Sequence, residues 1–74
     1  MLFDFSKLRG RIVEKFGTCA AFSAAVGIPE SALSARLNNK VSIDAEEMML
    51  WSQPDMLDIP LEKVYIYFLT PKVR

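Results

Sequence analysis

Helix breakers recur along this chain at intervals too short for any long element. Gly17, the run Gly27-Ile28-Pro29, the pair Asn38-Asn39, Pro54, Pro60 and Pro71 cut it into five segments. Glycine and asparagine accept the left-handed backbone that ends a helix, and proline removes an amide donor and blocks the preceding turn. A chain of 74 residues divided this way has room for one small core built from short helices packed on each other. An all-α fold of five short helices, as a single domain over residues 1–74, is therefore expected. Nothing else in the sequence offers to hold it together. The chain has one cysteine and no histidine, so it can form no internal disulfide and no ordinary zinc site. Tight packing, with or without dimerisation, has to supply the stability.

The segments read as helices from their apolar spacing. In the first, from about Ser6 to Phe16, Leu8, Ile12 and Phe16 recur every four residues, with Phe5 and Val13 beside them. Asp4 or Ser6 can cap its start, and Gly17 suits its end. Gly10 sits inside this helix at a cost of roughly 1 kcal/mol relative to alanine; close approach of another backbone would account for it. The second segment, Thr18 to Val26, opens on a good N-cap and carries the pair Phe22 and Val26 among small alanines. The third, Glu30 to Leu37, aligns Leu33 with Leu37. The fourth opens on Asp44 with Glu47 three residues later, a variant of the capping box, and stops before Pro54. Residues 53–58 read as a loop. The fifth begins at Pro60, a favoured first helical residue, and runs through Leu61, Val64 and Phe68. Its β-branched and aromatic content also allows a strand, but Glu62-Lys63 and the leading proline favour a short helix. Its apolar residues point several ways, which suits either complete burial or a dimer contact.

Charge and composition exclude several functions. Without histidine, Ser-His-Asp and Cys-His catalysis are not available, and the carboxylates lie at solvated helix starts, so no enzyme activity, cofactor or small-molecule substrate is expected. The longest purely apolar run is Val64 to Leu69, far short of a membrane span. With no basic leader before an apolar stretch, a cytoplasmic protein is expected. Nine basic residues balance nine acidic ones, whereas a nucleic-acid-binding domain usually carries a basic excess. The charges are segregated, however. Lys7, Arg9, Arg11 and Lys15 load the first helix, Arg36 and Lys40 flank the third, and Asp44, Glu46, Glu47, Asp55 and Asp58 follow. One positive face is compatible with zero net charge.

The stretch from Thr18 through Phe22, Gly27-Ile28-Pro29 and Leu33 to Leu37-Asn38-Asn39-Lys40 resembles the helix-turn-helix of the Cro and phage-repressor family. The opening segment Phe5 to Gly17 and the closing Tyr67-Phe-Leu-Thr-Pro-Lys-Val73 are similar to those of a small phage-protein subgroup. This resemblance implies a lambda-repressor-like domain, with its helix-turn-helix at about residues 18–38, in a regulator of the lysis–lysogeny switch of a temperate phage or prophage. Some positions depart from the DNA-reading pattern. Cys19 stands where the family usually has glutamine, Ser23 where it has alanine, and Pro29 where it has a serine or threonine cap. Pro54 comes with a short insertion in the fourth helix.

By this resemblance the third helix would enter the major groove and offer Glu30, Ser31, Ala32, Ser34, Ala35 and Arg36 to DNA or a partner. Lys15, Asn38, Asn39 and Lys40 would contact phosphates. None of the first five residues makes the bidentate contacts that arginine makes with guanine or glutamine with adenine. Met48, Met49, Leu50 and Trp51 form an apolar block with too many large groups for one helical face: it suits core packing with one neighbour, or, at Met48, Met49 and Trp51, a protein interface. Two functions follow. In the leading one, a dimeric regulator binds operator DNA through the helix-turn-helix. In the alternative, an antirepressor keeps the fold and binds the partner phage repressor, whose DNA-reading face is basic by necessity. Cys19, the Ser/Ala-rich third helix, zero net charge and the methionine-tryptophan block favour the alternative.

Overall fold

The computed structural model describes residues 2–72. Five helices follow the expected order: α1 Ser6–Phe16, α2 Cys19–Val26, α3 Glu30–Leu37, α4 Ala45–Trp51 and α5 Val64–Phe68. A single 3-10 turn, Leu61–Lys63, leads into α5. There is no strand among the described residues; an isolated antiparallel bridge pairs Phe3 with Pro71. Val73, the last residue of the closing motif, lies outside the described residues.

The local signals account for the boundaries. Thr18 Oγ1 accepts from the Ala21 amide at 3.1 Å and opens α2. The capping box at α4 is complete: Asp44 Oδ1 accepts from the Glu47 amide at 2.7 Å, and Glu47 Oε1 accepts from the Asp44 amide at 3.3 Å. At α1 the capping acid is Asp4, whose Oδ1 accepts from the Ser6 hydroxyl at 2.6 Å and the Ser6 amide at 2.9 Å. Those two bonds, the hydroxyl first, hold the Asp4 carboxyl below the usual carboxylate value. Gly17 and Gly27 close α1 and α2 with φ of 84° and 80°, a region that side chains with a Cβ enter at a cost.

The core is a layer of aromatic and aliphatic side chains to which every helix contributes. Leu8 and Ile12 come from α1, Phe22 from α2, Leu33 and Leu37 from α3, Trp51 from α4 and Phe68 from α5, all buried. A run of rings passes through its centre. Phe16 meets Phe22 at 5.2 Å between centroids, Phe22 meets Trp51 edge-on at 5.3 Å, and Trp51 meets Phe68 at 6.2 Å. These are the offset and T-shaped arrangements that aromatic quadrupoles prefer.

Several sequence expectations differ from the structure. Trp51, grouped with Met48 and Met49 as an interface residue, is only 1% exposed. The helical period explains this. Met48 and Trp51 are three apart on the inner face of α4, while Met49 and Leu50 turn outward. Met48 is half-buried, packed against the core. Val13 lies exposed beside the α1 stripe. Gly10 has no close neighbour: a Cβ added there would meet nothing within 4 Å. Close backbone approach therefore does not explain it. Gly10→Ala is expected to raise stability by about 0.5–1 kcal/mol through helix propensity alone, read as a higher urea midpoint with unchanged slope. The fifth segment is not buried all round either. Phe68 is buried, whereas Tyr65 and Leu69 are exposed.

Candidate functional site

The α2–turn–α3 unit is where the sequence places its chemistry. The turn is short and fully bonded. Ser23 O accepts from the Gly27 and Ile28 amides, both at 3.0 Å. The Ser23 hydroxyl, buried where the family resemblance expects alanine, donates to Ala20 O at 2.8 Å, so the change leaves no unsatisfied group. Pro29 takes the N-cap position of α3 and makes no side-chain cap bond. Its ring sets φ to −63°, which suits the position but leaves the helix start without an acceptor side chain.

The outer face of α3 is sparsely equipped for reading bases. Glu30, Ser31 and Ser34 are exposed, and Ala32 and Ala35 are half-buried. Arg36 is the one residue of the six with the fork needed for a bidentate base contact, and it is held inside the protein. Its Nε donates to Glu47 Oε2 at 2.9 Å and its Nη1 to Ala32 O at 3.0 Å, with the side chain 19% exposed. This pair joins α3 to α4. Shielded, charge-assisted bonds of this kind position helices.

The proposed phosphate contacts divide in the same way. Lys15 and Lys40 are exposed. Asn38 Nδ2 turns back to Ser34 O at 2.9 Å, and its Oδ1 accepts from Arg9 Nη2 at 3.3 Å. Asn39 is a clasp. It adopts φ 63°, its Oδ1 accepts from the Phe3 amide and its Nδ2 donates to Phe3 O, both at 2.9 Å. The asparagine side chain therefore pairs with the N-terminal segment as a neighbouring strand would. Asn39 is corrected from phosphate contact to structural tie.

Several of the other cations are also internal ties. Arg11 donates from Nε to Leu57 O at 2.7 Å and from Nη2 to Asp58 O at 2.8 Å, and its Nη1 pairs with Glu14 at 2.9 Å. Arg9 Nη2 also reaches Leu37 O at 3.3 Å, at the end of α3. Of the cations on the positive face expected from charge segregation, Lys7, Arg9, Lys15 and Lys40 are exposed, while Arg11 and Arg36 are half-buried. Cys19 is half-buried and borders a shallow cleft with Arg9, Glu30 and Leu33.

Of the expected interface residues Met49 lies on a second surface, beside Leu61, which sequence reasoning did not single out. Met49 is 50% exposed and Leu61 71% exposed, and both line a cleft with Ile59 and Val64. Tyr65, one turn beyond Leu61, is 61% exposed. The signal was present: in the fifth segment the apolar residues outnumber those one helical face can bury.

Residues 1–71 match a family described as protein of unknown function (DUF739). The chain belongs to the DUF739 family. No curated protein matches it. Among solved structures, this DUF739 chain is similar to the modulator of repression (MOR) of the temperate bacteriophage TP901-1 from Lactococcus lactis, determined in solution. The TM-score is 0.81 at 34% identity, covering 100% of this chain and 97% of that one. No helix among the described residues of this DUF739 protein is long and apolar enough to cross a membrane.

Proposed function

We propose that this protein regulates a temperate-phage switch as a modulator of repression, by binding the partner phage repressor rather than by reading operator DNA. The observation that carries this reading is Arg36. The one arginine of the expected recognition helix commits its Nε to Glu47 and its Nη1 to Ala32 O, which orients the guanidinium toward α4, and the exposed residues of that helix face are Glu30, Ser31 and Ser34. A glutamate at the head of that face repels phosphate, and neither serine replaces a bidentate contact, which is worth roughly 1–3 kcal/mol of discrimination. Similarity over the whole chain to a protein named as a modulator of repression supports the same reading. Operator binding, the reading that led on sequence resemblance, keeps exposed cations at Lys7, Arg9, Lys15 and Lys40, but without the arginine of the third helix they supply phosphate contacts rather than base reading.

A mobility-shift experiment on the phage operator region separates the two. The protein alone is expected to give no specific shift at low or moderate salt, and to change the shift given by the repressor when both are present. A specific shift by the protein alone, weakening steeply with salt, would show that it reads DNA and that this reading is wrong.

A further inference from the structure

We propose that residues 2–4, Asn39 and residues 70–72 form one strap that opens and closes as a unit, separately from the core, and that the strap couples the segment after α5 to the loop that leaves α3. The inference does not depend on which partner the protein meets.

The strap has the bonding of three paired segments, one of them replaced by a side chain. Successive residues of an extended segment turn their amides and carbonyls to opposite sides. Phe3 turns both toward Asn39, whose side-chain amide bonds them at 2.9 Å each. Leu2 and Asp4 face the other way. Leu2 O accepts from the Lys72 amide at 3.0 Å, and the Asp4 amide donates to Thr70 O at 2.8 Å. Phe3 stands opposite Pro71 in the antiparallel bridge. Residues 2–4 therefore lie between Asn39 and residues 70–72 and take one pair of bonds from each side.

Two observations set the strap apart from the core. The first is incomplete packing. An apolar cavity of about 100 Å³ borders the strap, lined mainly by Phe3, Phe5, Val41, Met48, Phe68 and Leu69. Phe5 and Phe68 are buried and mark where the two segments join the core, whereas Leu2, Asp4, Pro71 and Lys72 are exposed. A segment with few buried apolar contacts and exposed backbone bonds opens at a lower free energy than the core. The second is that both edges depend on the same three residues. Once one edge has ordered residues 2–4, the other forms without a second loss of backbone freedom. Losing either edge therefore weakens both. Asn39 stands two positions beyond Leu37, the last residue of α3. Freeing residues 70–72 thus loosens the exit of α3, and by linkage displacing that exit frees residues 70–72.

The test is amide hydrogen exchange of the full-length protein, followed by NMR through a series of low urea concentrations. In the parent, the Phe3, Asp4 and Lys72 amides are expected to share one protection factor and one urea slope, both below those of Ile12 inside α1. Two variants then cut one edge each and are read at the other. Asn39→Gly keeps the backbone at its positive φ and removes the bonds to Phe3; it is read at Asp4 and Lys72, whose partners it does not touch. Lys72→Pro removes the amide that bonds Leu2 O; it is read at Phe3, whose partner is Asn39. Each is expected to quicken exchange at those remote amides by about tenfold or more relative to Ile12, the scale of losing one or two hydrogen bonds. If Asn39→Gly quickens Phe3 alone, or Lys72→Pro leaves Phe3 as in the parent, the edges open independently and there is no single strap. Exchange of the three amides only together with Ile12, or no protection at any of them, would overturn it as well.

Discussion

Replacing Trp51 with alanine is expected to remove about 3–5 kcal/mol of stability, the range for deleting a large buried aromatic. The indole is 1% exposed and stands edge-on to Phe22 at 5.3 Å, with Phe68 on another side at 6.2 Å. Three helices therefore lose a shared contact at once. A chain of this length has roughly 4–11 kcal/mol in total, so the variant should be marginal at room temperature. A urea or thermal melt followed by far-ultraviolet circular dichroism gives the measurement. A loss below about 1 kcal/mol, as expected for a surface substitution, would show that Trp51 is not at the centre of the core. Trp51→Phe should recover a large part of the loss because it keeps an aromatic ring between Phe22 and Phe68.

Asn39→Ala is expected to have the second largest effect, about 2–4 kcal/mol. Two partly buried hydrogen bonds to Phe3 disappear, each worth about 1 kcal/mol or somewhat more when a partner is left unpaired. Alanine at φ 63° adds about 1–2 kcal/mol of backbone strain. Asn39→Gly separates the two contributions, since glycine accepts that φ and loses only the bonds. The clasp holds a segment already paired to the other end of the chain, with Asp4 N bonded to Thr70 O at 2.8 Å and Lys72 N to Leu2 O at 3.0 Å. Hydrogen exchange at the Phe3 amide should therefore quicken in both variants. Unchanged protection there would mean that Asn39 does not hold the segment.

The fold was largely legible because its signals are local. Thr18, Asp44 with Glu47, Gly17 and Gly27 act within a turn of where they stand, and the spacing of Leu8 with Ile12 and of Leu33 with Leu37 marks the inward faces directly. Trp51 was misplaced because four consecutive large residues, Met48 to Trp51, share no single face, and their sorting into two inside and two outside depends on what α4 packs against. The candidate site was harder to read because its residues changed role through partners distant in sequence. Arg36 finds Glu47 eleven positions away, Asn39 finds Phe3 thirty-six away, and Arg11 finds Leu57 and Asp58 more than forty away. An arginine or asparagine in a helix-turn-helix resembles a DNA contact until its donors are accounted for. The Leu61 surface was missed for a related reason. Helical character was evident after Pro60, but the 3-10 start rotates Leu61 away from the core, and no residue type announces that rotation.

Zero net charge has a structural basis in this account. Arg11 and Arg36 are half-buried and serve as ties between segments, whereas the carboxylates of residues 41–62 other than Glu47 are exposed. Under the proposed reading, the third helix uses its arginine to join α4 rather than to reach bases.

The central claim, a protein partner in place of DNA, is tested most directly by fluorescence anisotropy with labelled operator DNA. The protein is titrated once into the DNA alone and once into the DNA saturated with repressor. The account predicts no rise with DNA alone and a change from the repressor-bound value as the protein engages the repressor. A saturable, salt-dependent rise with DNA alone, with the repressor-bound value unchanged, would contradict it.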